Sequence, residues 1–475
     1  MKQSHHAELF RNNVAFLFEP ESIAAIGSLK STWFGGQTLI SQLRDFGFKG
    51  RIYLVNPSQD SVMGMKVYPT VLDIPDVVDL AVIMTASQVV PEVIGRCIAK
   101  KVKAAVIVSD GFAEKDEEGI RLQQEVVKSA RSAGLCLAGP NTIGTLNTAN
   151  GLITNPYIVG YRNITPGGIA LCSQTGLFGA QAWPFEDMQY QISKMCDLGN
   201  KCDVDEVDLL DYLGKDPQTK VIAMHLEDIK HGRAFLEKAK EVVCEKPVLI
   251  LKPGRAKESA KAIASHTGSL AGEDRIYDVL LRQAGVIRVD TIRELLELPK
   301  IFAYQPHLPK GNRVAIVSIS GGVGVIGIDA AVDAGLTLAK LSPSTTEKLA
   351  QIFPSMGGNP VDLGPPIPVV GNVVSLFSDT VSMVLEDDNV DCLAISTYGG
   401  ENFTSLEILS DIRSKFSKPL VIWTYGQSLS EVAQITRNLD NIGVPVYSEW
   451  QTAIKALGVA WQYAQIKSEF LLNRG

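Results

Sequence analysis

The segment 265–272, with the sequence Ser-His-Thr-Gly-Ser-Leu-Ala-Gly, joins a histidine to small and glycine residues. His266 is one of six histidines in the chain. Small neighbours leave an imidazole open to reactants, and a neutral imidazole nitrogen can accept a phosphoryl group and pass it on. The segment therefore predicts a loop that carries a phosphoryl group on His266. A surface turn histidine is the alternative.

Glu227 is a carboxylate just beyond the apolar run 221–225, where ligands of open sheets collect. It could accept the ring N–H of a histidine, which fixes the tautomer and leaves the other nitrogen nucleophilic. A solvated glutamate at a helix start is the alternative. His225, Asp228 and His231 show no recognised metal-ligand spacing, and we interpret them as ordinary surface or strand-end residues.

Two segments place small hydroxyl or glycine residues between a predicted strand and a predicted helix. Residues 173–176 read Ser-Gln-Thr-Gly, and residues 318–324 read Ser-Ile-Ser-Gly-Gly-Val-Gly. Such turns can cap a helix and hold a phosphate with backbone N–H groups. Helix caps without a ligand are the alternative. The predicted phosphate-binding residues are Ser173, Gln174, Thr175, Gly176, Gly321 and Gly322.

The first apolar run ends in Gly27 and Ser28, and Gly35-Gly36 precedes a predicted helix. A strand, a glycine turn and a helix start form an anion-binding crevice. The glycine spacing does not match the dinucleotide fingerprint, and the second run ends in Asn56-Pro57 where that fingerprint needs an acid. The pattern therefore disfavours an NAD dehydrogenase. A glycine that only tightens a turn is the alternative.

Short apolar runs alternate with amphipathic stretches along the chain, which is the pattern of buried parallel strands with crossover helices. The pattern restarts after a Gly/Asn/Pro-rich connector at 139–168, and again after a second connector at 305–311. We therefore predict three α/β units in tandem, the first a doubly wound sheet.

Composition excludes several classes of function. The net charge is −7 and no polybasic run occurs, which argues against nucleic acid or a membrane as partner. No apolar stretch reaches the ~20 residues that span a bilayer, and Met1 to His6 lack the order of a secretory signal. The seven cysteines form no C-x-x-C pair, so we expect a cytoplasmic protein without disulfides or a cysteine zinc site.

These motifs together resemble the alpha subunit of ADP-forming acyl-CoA synthetases, which are relatives of succinyl-CoA synthetase. The resemblance covers residues 14–465 and is most specific at 265–272, which looks like the family's phosphohistidine loop. It implies that His266 carries the phosphoryl group and that Glu227 hydrogen-bonds it. The other matching motifs are Val55-Asn56-Pro57, Gly139-Pro140-Asn141, Ser173-Gln174-Thr175-Gly176, Leu226-Glu227 and Asn359-Pro360-Val361-Asp362.

The resemblance implies a Rossmann-like CoA-binding domain followed by two flavodoxin-like ligase domains. The implied division is an N-terminal arm 1–13, a CoA-binding domain 14–146, a ligase domain 147–304 with the histidine loop, a second ligase domain 311–467 and a C-terminal tail 468–475. The implied CoA-binding residues are Gly27, Ser28, Lys30, Asn56, Pro57, Thr85, Ser109 and Asn141. Two positions depart from the family, because Thr142 replaces its usual cysteine and Trp33-Phe34 replaces a frequent Gly-Lys.

The implied activity is that of a ligase in which carboxylate, CoA and ATP reversibly give acyl-CoA, ADP and phosphate. No segment looks like the ATP-grasp module that holds nucleotide and magnesium in this family. The resemblance thus implies a separate ATP-grasp beta subunit and a hetero-oligomer. The alternative is a regulatory acyl-CoA-binding protein without turnover. A cysteine or serine acyltransferase or thioesterase is less well supported, because no base stands at a recognisable spacing.

Overall fold

The computed structural model describes residues 13–30, 34–157, 164–176, 190–259, 273–399 and 405–472. These residues form three sheets in two compact units, the first containing the described residues up to Asp290 and the second those from Thr291. Most strands pair in parallel, which confirms the predicted α/β class. The predicted histidine loop, with His266, lies outside the described residues.

The first sheet has seven strands. They are β1 Ser22–Gly27, β2 Arg51–Val55, β3 Ser61–Val62, β4 Met65–Tyr68, β5 Leu80–Met84, β6 Ala104–Ile107 and β7 Cys136–Ala138. The helices are α1 Gly36–Asp45, α2 Val90–Lys100 and α3 Glu117–Ala133. The strand order is β3-β4-β2-β1-β5-β6-β7. All five residues of β5 are apolar and buried, as expected for a parallel strand with helices on both faces.

The second sheet also has seven strands. They are β8 Thr145–Asn147, β9 Leu152–Ile153, β10 Ile164–Ser173, β11 Tyr190–Asp197, β12 Val221–His225, β13 Val248–Leu251 and β14 Ile287–Val289. The described helices are α4 Glu206–Lys215, α5 Gly232–Val243 and α6 Asp274–Gln283. The strand order is β14-β13-β12-β10-β11-β8-β9, so β10 lies at the centre.

The predicted connector 139–168 contains strands that the sequence pattern did not indicate. β8 pairs antiparallel with both β9 and β11, and β10 begins within the connector at Ile164. β8 and β9 are three and two residues long, too short to show a periodic pattern. The connector therefore extends the second sheet rather than only linking two sheets.

The third sheet has six strands. They are β15 Arg313–Ser318, β16 Thr337–Leu338, β17 Val361–Asp362, β18 Cys392–Tyr398, β19 Leu420–Tyr425 and β20 Val446–Tyr447. The helices of the second unit are α7 Ile292–Glu297, α8 Lys300–Tyr304, α9 Gly321–Asp333, α10 Pro343–Ile352, α11 Val373–Glu386, α12 Leu406–Lys415, α13 Leu429–Asn441 and α14 Trp450–Leu472. The order is β16-β15-β18-β19-β20, and β17 also pairs with β15.

Some predicted boundaries differ from the elements observed. The predicted tail 468–475 begins inside α14, which continues to Leu472. Helices α7 and α8 belong to the second compact unit, although they fall inside the predicted domain 147–304. Asn13, at the end of the predicted arm, is buried and its Nδ2 donates to the Gly134 carbonyl at 2.7 Å. Within the described ranges, no helix is long and apolar enough to cross a membrane.

Candidate functional site

The strand ends of the second sheet bring several predicted residues to one edge. Ser173 ends β10 and lies in register with Asp197 on β11 and with His225 on β12. Because these strands are parallel, their carboxyl ends share this edge, where open α/β sheets bind ligands. Glu227 follows β12 by two residues and is 8% exposed. The predicted phosphate segment and the predicted orienting carboxylate therefore lie at neighbouring strand ends.

The segment 173–176 forms a hydrogen-bonded turn. Ser173 Oγ donates to the Thr175 carbonyl at 2.7 Å and accepts the Thr175 N–H at 3.2 Å. Gly176 has open space around it, since an added Cβ would meet no heavy atom within 4 Å. Residues 177–189 lie outside the described residues, so a helix start after this turn stays a prediction.

Gln174 ties this turn to the segment that carries Glu227. Its Oε1 accepts the N–H groups of Glu227 at 2.8 Å and Asp228 at 3.2 Å. Its Nε2 donates to Asp228 Oδ1 at 2.7 Å, and its backbone N–H donates to the His225 carbonyl at 2.9 Å. These polar groups of Gln174 therefore already make hydrogen bonds inside the protein. Phosphate binding at Gln174 stays a prediction.

Asp228 and His225 are buried near the end of β12, so of the two predicted settings, surface or strand end, the strand end is the one that fits them. They are 5% and 7% exposed, whereas His231 is exposed as expected. Asp228 Oδ1 lies 2.6 Å from the Nζ of Lys201, which follows β11 and is itself buried. Burial lowers the pKa of His225 to about 4, so this imidazole is neutral at physiological pH. The sequence analysis did not single out Lys201, and the only sequence signal for it is that it lies in a polar segment directly after β11.

A pocket with an empty volume of about 620 Å³ opens beside the Ser173 turn. Its wall contains residues 141–143 and 174–176 together with Tyr157 and Asp197. Asp197 accepts the N–H groups of Ile143 at 2.8 Å and Gly199 at 3.2 Å. Burial nevertheless raises the pKa of Asp197 to about 6. Sequence reasoning missed this carboxyl group, whose position at a strand end is shared with Ser173.

Thr142 is the residue at the position where the family resemblance implies a cysteine. Its Oγ1 donates to the Asp197 carbonyl and accepts the Gly144 N–H at 2.9 Å. The side chain is 3% exposed. The hydroxyl thus joins the segment after β7 to the end of β11, and it offers no thiol to the pocket.

The predicted CoA-binding residues line the carboxyl edge of the first sheet. Asn56 Nδ2 donates to the Gly27 carbonyl at 2.8 Å, which holds the turn after β1 against the end of β2. Ser109 Oγ donates to the Thr85 carbonyl at 2.5 Å, and the Asn141 N–H donates to the Ser109 carbonyl at 2.9 Å. The remaining three are Ser28, which is half-buried, Lys30, which is exposed, and Pro57, which follows Asn56 directly.

Gly27 allows the end of β1 to lie close against the end of β5. Its φ is +113°, and an added Cβ would lie 2.4 Å from the Met84 carbonyl oxygen. Only glycine accepts that conformation and that proximity. A cleft with an empty volume of about 850 Å³, lined partly by Ser87, Gly111 and Asn141, opens at the same edge. Asn141 lines both this cleft and the pocket beside Ser173.

The second unit repeats the serine turn at the end of β15. Ser318 Oγ donates to the Ser320 carbonyl at 2.7 Å and accepts the Ser320 N–H at 3.1 Å. Gly321 and Gly322 then begin α9 and are exposed. The N–H groups of this first helical turn can take an anion.

Three family models match the chain in succession. They are a CoA binding domain at residues 21–148, a succinyl-CoA ligase like flavodoxin domain at 166–302 and a Ligase-CoA domain at 314–470. Together they account for most of the chain. Each sheet described above falls largely within one of the three matches.

Named relatives match over nearly the whole chain. Acetate–CoA ligase [ADP-forming] II of Archaeoglobus fulgidus is 38% identical over 94% of this chain and 67% of its own length. Acetate–CoA ligase [ADP-forming] I subunit alpha of Pyrococcus furiosus is 34% identical over 95% of this chain and 98% of its own. The chain therefore spans about two thirds of one relative and almost all of the other.

A solved structure shows the same arrangement of elements. It is the dinucleotide forming acetyl-coenzyme A synthetase 1 of Ca. Korarchaeum cryptofilum in complex with phosphate and ADP. The TM-score is 0.86 at 31% identity, and the match covers 98% of this chain and 99% of that chain.

Proposed function

This chain belongs to the family of ADP-forming acyl-CoA ligases, and we propose on that premise that it is the alpha subunit of such an enzyme. The proposed reaction is the reversible conversion of carboxylate, CoA and ATP to acyl-CoA, ADP and phosphate. The observation that carries the proposal is the placement of Glu227 and the Ser173 turn at neighbouring strand ends. The pocket beside them is lined by Asn141 of the CoA-binding segment.

In the direction of ATP synthesis, the chemistry has three proposed steps. A phosphate oxygen attacks the thioester carbonyl carbon, the carbon–sulfur bond breaks, and CoA leaves with an acyl phosphate remaining. A ring nitrogen of His266 then attacks phosphorus, and the bond to the carboxylate oxygen breaks. The phosphoryl group finally passes from His266 to the terminal phosphate of ADP, which regenerates neutral histidine.

Glu227 is proposed to orient the imidazole of His266. A carboxylate that accepts the N–H of one ring nitrogen leaves the other as a nucleophile and stabilises the charged phosphorylated ring. The backbone N–H of Glu227 is already fixed by Gln174, which supports a defined position for this residue. The turn of Ser173 is proposed to hold the phosphoryl group with N–H groups. Within the second unit, the start of α9 at Gly321 and Gly322 is proposed to bind a phosphate in the same way.

The first sheet is proposed to bind CoA, and its residues fit that ligand. The glycine turn at Gly27, the fixed amide of Asn56 and the cleft that reaches Asn141 provide an open, polar edge for a long phosphorylated ligand. Lys30 is the candidate for a phosphate contact, because it is exposed beside the Gly27 turn.

The nucleotide site is proposed to lie on a separate ATP-grasp beta subunit, with magnesium held there. The name of the P. furiosus relative, an alpha subunit of nearly the same length, supports a partner chain. A cytoplasmic location is also proposed, on the ground that the seven cysteines of the sequence form no C-x-x-C pair.

The proposal is tested by calorimetry and turnover with purified proteins. We expect the isolated chain to bind CoA but not Mg-ATP, and to consume ATP with carboxylate and CoA only when an ATP-grasp subunit is added. Micromolar binding of Mg-ATP by the isolated chain would contradict the two-chain proposal. A complex that never forms acyl-CoA from a panel of carboxylates would contradict the activity.

A further inference from the structure

Lys201 is a buried ammonium group beside the candidate site. Its side chain has no exposed surface, and its Nζ lies 2.8 Å from Glu206 Oε2 and 2.6 Å from Asp228 Oδ1. Nζ also donates to the Asp228 carbonyl at 2.9 Å. Burial opposes the charge, but the two carboxylates together raise the pKa of Lys201 above its ordinary value. The group is therefore charged and carries three hydrogen bonds, which is all it can donate.

The backbone at Lys201 is held in a conformation that a lysine rarely adopts. Its φ is +49°, and its N–H donates to the Leu198 carbonyl at 3.0 Å in the turn after β11. Lys230 Nζ donates to the Lys201 carbonyl at 3.1 Å. A left-handed conformation at a β-unbranched residue persists only where surrounding contacts fix it. The turn thus holds the Lys201 ammonium group in a defined position beside Asp228.

A continuous chain of hydrogen bonds leads from Lys201 to Glu227. Asp228 Oδ1 accepts hydrogen bonds from both the Lys201 ammonium and the Gln174 Nε2. The Oε1 of the same Gln174 amide accepts the N–H groups of Glu227 and Asp228. Because an amide is rigid and planar, fixing its Nε2 also fixes its Oε1. Asp228 and Gln174 therefore link the Lys201 ammonium to the backbone N–H of Glu227.

The ionised state of Asp228 supports the orientation of Gln174 in this chain of hydrogen bonds. Burial alone would raise the pKa of Asp228, but the Lys201 ammonium and the Gln174 amide bring it below its ordinary value. An ionised Asp228 orients Gln174 in one sense only, since a carboxylate accepts from Nε2 and cannot donate to Oε1. The amide oxygen is thereby directed at the N–H of Glu227.

We propose that Lys201 and Asp228 are positioning residues for phosphoryl transfer, acting through Gln174 to hold Glu227 against the reacting histidine. This inference rests on the proposed function, in which Glu227 orients His266. Neither Lys201 nor Asp228 touches the reacting atoms in this account. Their effect is on the geometry of the transfer step.

Glu206 supplies a matched control. It contacts the same ammonium group as Asp228 and is fully buried, but its ion pair with Lys201 is not part of the hydrogen-bond path from Asp228 through Gln174 to Glu227. Glu206→Gln and Asp228→Asn each replace one carboxylate of Lys201 by an amide of the same shape. If the three charged groups only stabilised the fold, both changes would have the same effect on kcat.

The experiment compares these variants in the complete two-subunit enzyme by kcat, by KM for phosphate and acyl-CoA, and by Tm. We expect Asp228→Asn to lower kcat about ten- to a hundredfold, with each KM within about twofold, because only the aligned geometry is lost. Glu206→Gln should keep kcat within about threefold at a comparable fall in Tm. Gln174→Met should match the kcat loss of Asp228→Asn, and it carries the test if Asp228→Asn does not fold.

The inference is overturned if Asp228→Asn and Glu206→Gln lower kcat equally, or if the variants at 174 and 228 both retain wild-type kcat. Glu227→Gln in the same assay separates this failure from that of the proposed function. If Glu227→Gln lowers kcat and the variants at 174 and 228 do not, only the positioning role of Lys201 and Asp228 is wrong. If Glu227→Gln is also unaffected, the proposed role of Glu227 itself is wrong.

Discussion

Ser173 and Ser318 close the same turn at the ends of two different strands. Each hydroxyl donates to the carbonyl two residues on at 2.7 Å and accepts the N–H of that same residue, at 3.2 Å and 3.1 Å respectively. The turn directs the chain out of a buried strand and presents backbone N–H groups at the sheet edge. Its recurrence supports a role in holding an anion rather than a single local cap.

The turn at Ser173 is expected to influence phosphate binding. Ser173→Ala removes its two hydrogen bonds, and we expect the KM for phosphate in acyl-CoA consumption to rise about tenfold, equivalent to one hydrogen bond of ~1.4 kcal/mol. Ser193→Ala is the control, because Ser193 is equally buried and loses one hydrogen bond to Thr219. An equal KM for phosphate in both variants would refute the role of Ser173.

Glu227→Gln keeps the shape of the side chain and removes its charge. A charge-assisted hydrogen bond to the histidine is worth about 1.5–3 kcal/mol, so kcat should fall by about one to two decades. The KM for the carboxylate should change little, because the bond acts on the transfer step. Glu237→Gln, on the exposed face of α5, is the matched control. Near-normal kcat in Glu227→Gln would show that the residue does not orient the nucleophile.

Gly27→Ala should weaken CoA binding and destabilise the first sheet, because the turn after β1 must shift. The added Cβ would lie 2.4 Å from the Met84 carbonyl oxygen, at a φ that alanine rarely adopts. Gly47→Ala is the control, since Gly47 also has positive φ but open space around it. We expect Kd for CoA, measured by calorimetry, to rise at least tenfold only in Gly27→Ala. An unchanged Kd in Gly27→Ala would contradict a CoA site at this turn.

The buried carboxyl group of Asp197 should make the stability of the folded chain depend on pH. Its pKa is raised by burial to about 6, so between about pH 4 and 6 the folded chain binds more protons at this site than the unfolded chain does. Its contribution to stability is therefore greatest below pH 4 and is lost as pH rises through 6, by about 3 kcal/mol. The Tm of wild type relative to Asp197→Asn should fall across that range. A pH-independent difference in Tm would contradict the raised pKa.

The sequence predicted the parallel strands well because burial on both faces requires continuous apolar runs. The apolar run 221–225 predicted from the sequence coincides with β12. The hairpin of β8 and β9 was missed, because its pairing is decided by contact with β11 rather than by local pattern. Pairing between segments far apart in the chain leaves little trace in either segment alone.

The candidate site was predictable in its motifs but not in its supporting contacts. Glu227 and the Ser173 turn could be identified from their places after apolar runs. Asp228 could not, because its burial depends on Lys201, which is 27 residues away along the chain. Asp197 likewise looks like any acid after a strand until the N–H groups of the neighbouring segment converge on it. Contacts between distant residues determine which polar side chains are buried.

Labelling of the isolated chain with radioactive phosphate is the most direct test of phosphohistidine formation at His266. The chain is incubated with [³²P]phosphate and an acyl-CoA that the two-subunit enzyme consumes, without nucleotide or partner. We expect a base-stable, acid-labile label in wild type, dependent on the thioester, and none in His266→Ala. Equal labelling of His266→Ala, or no label in wild type with such a thioester, would contradict the phosphohistidine mechanism.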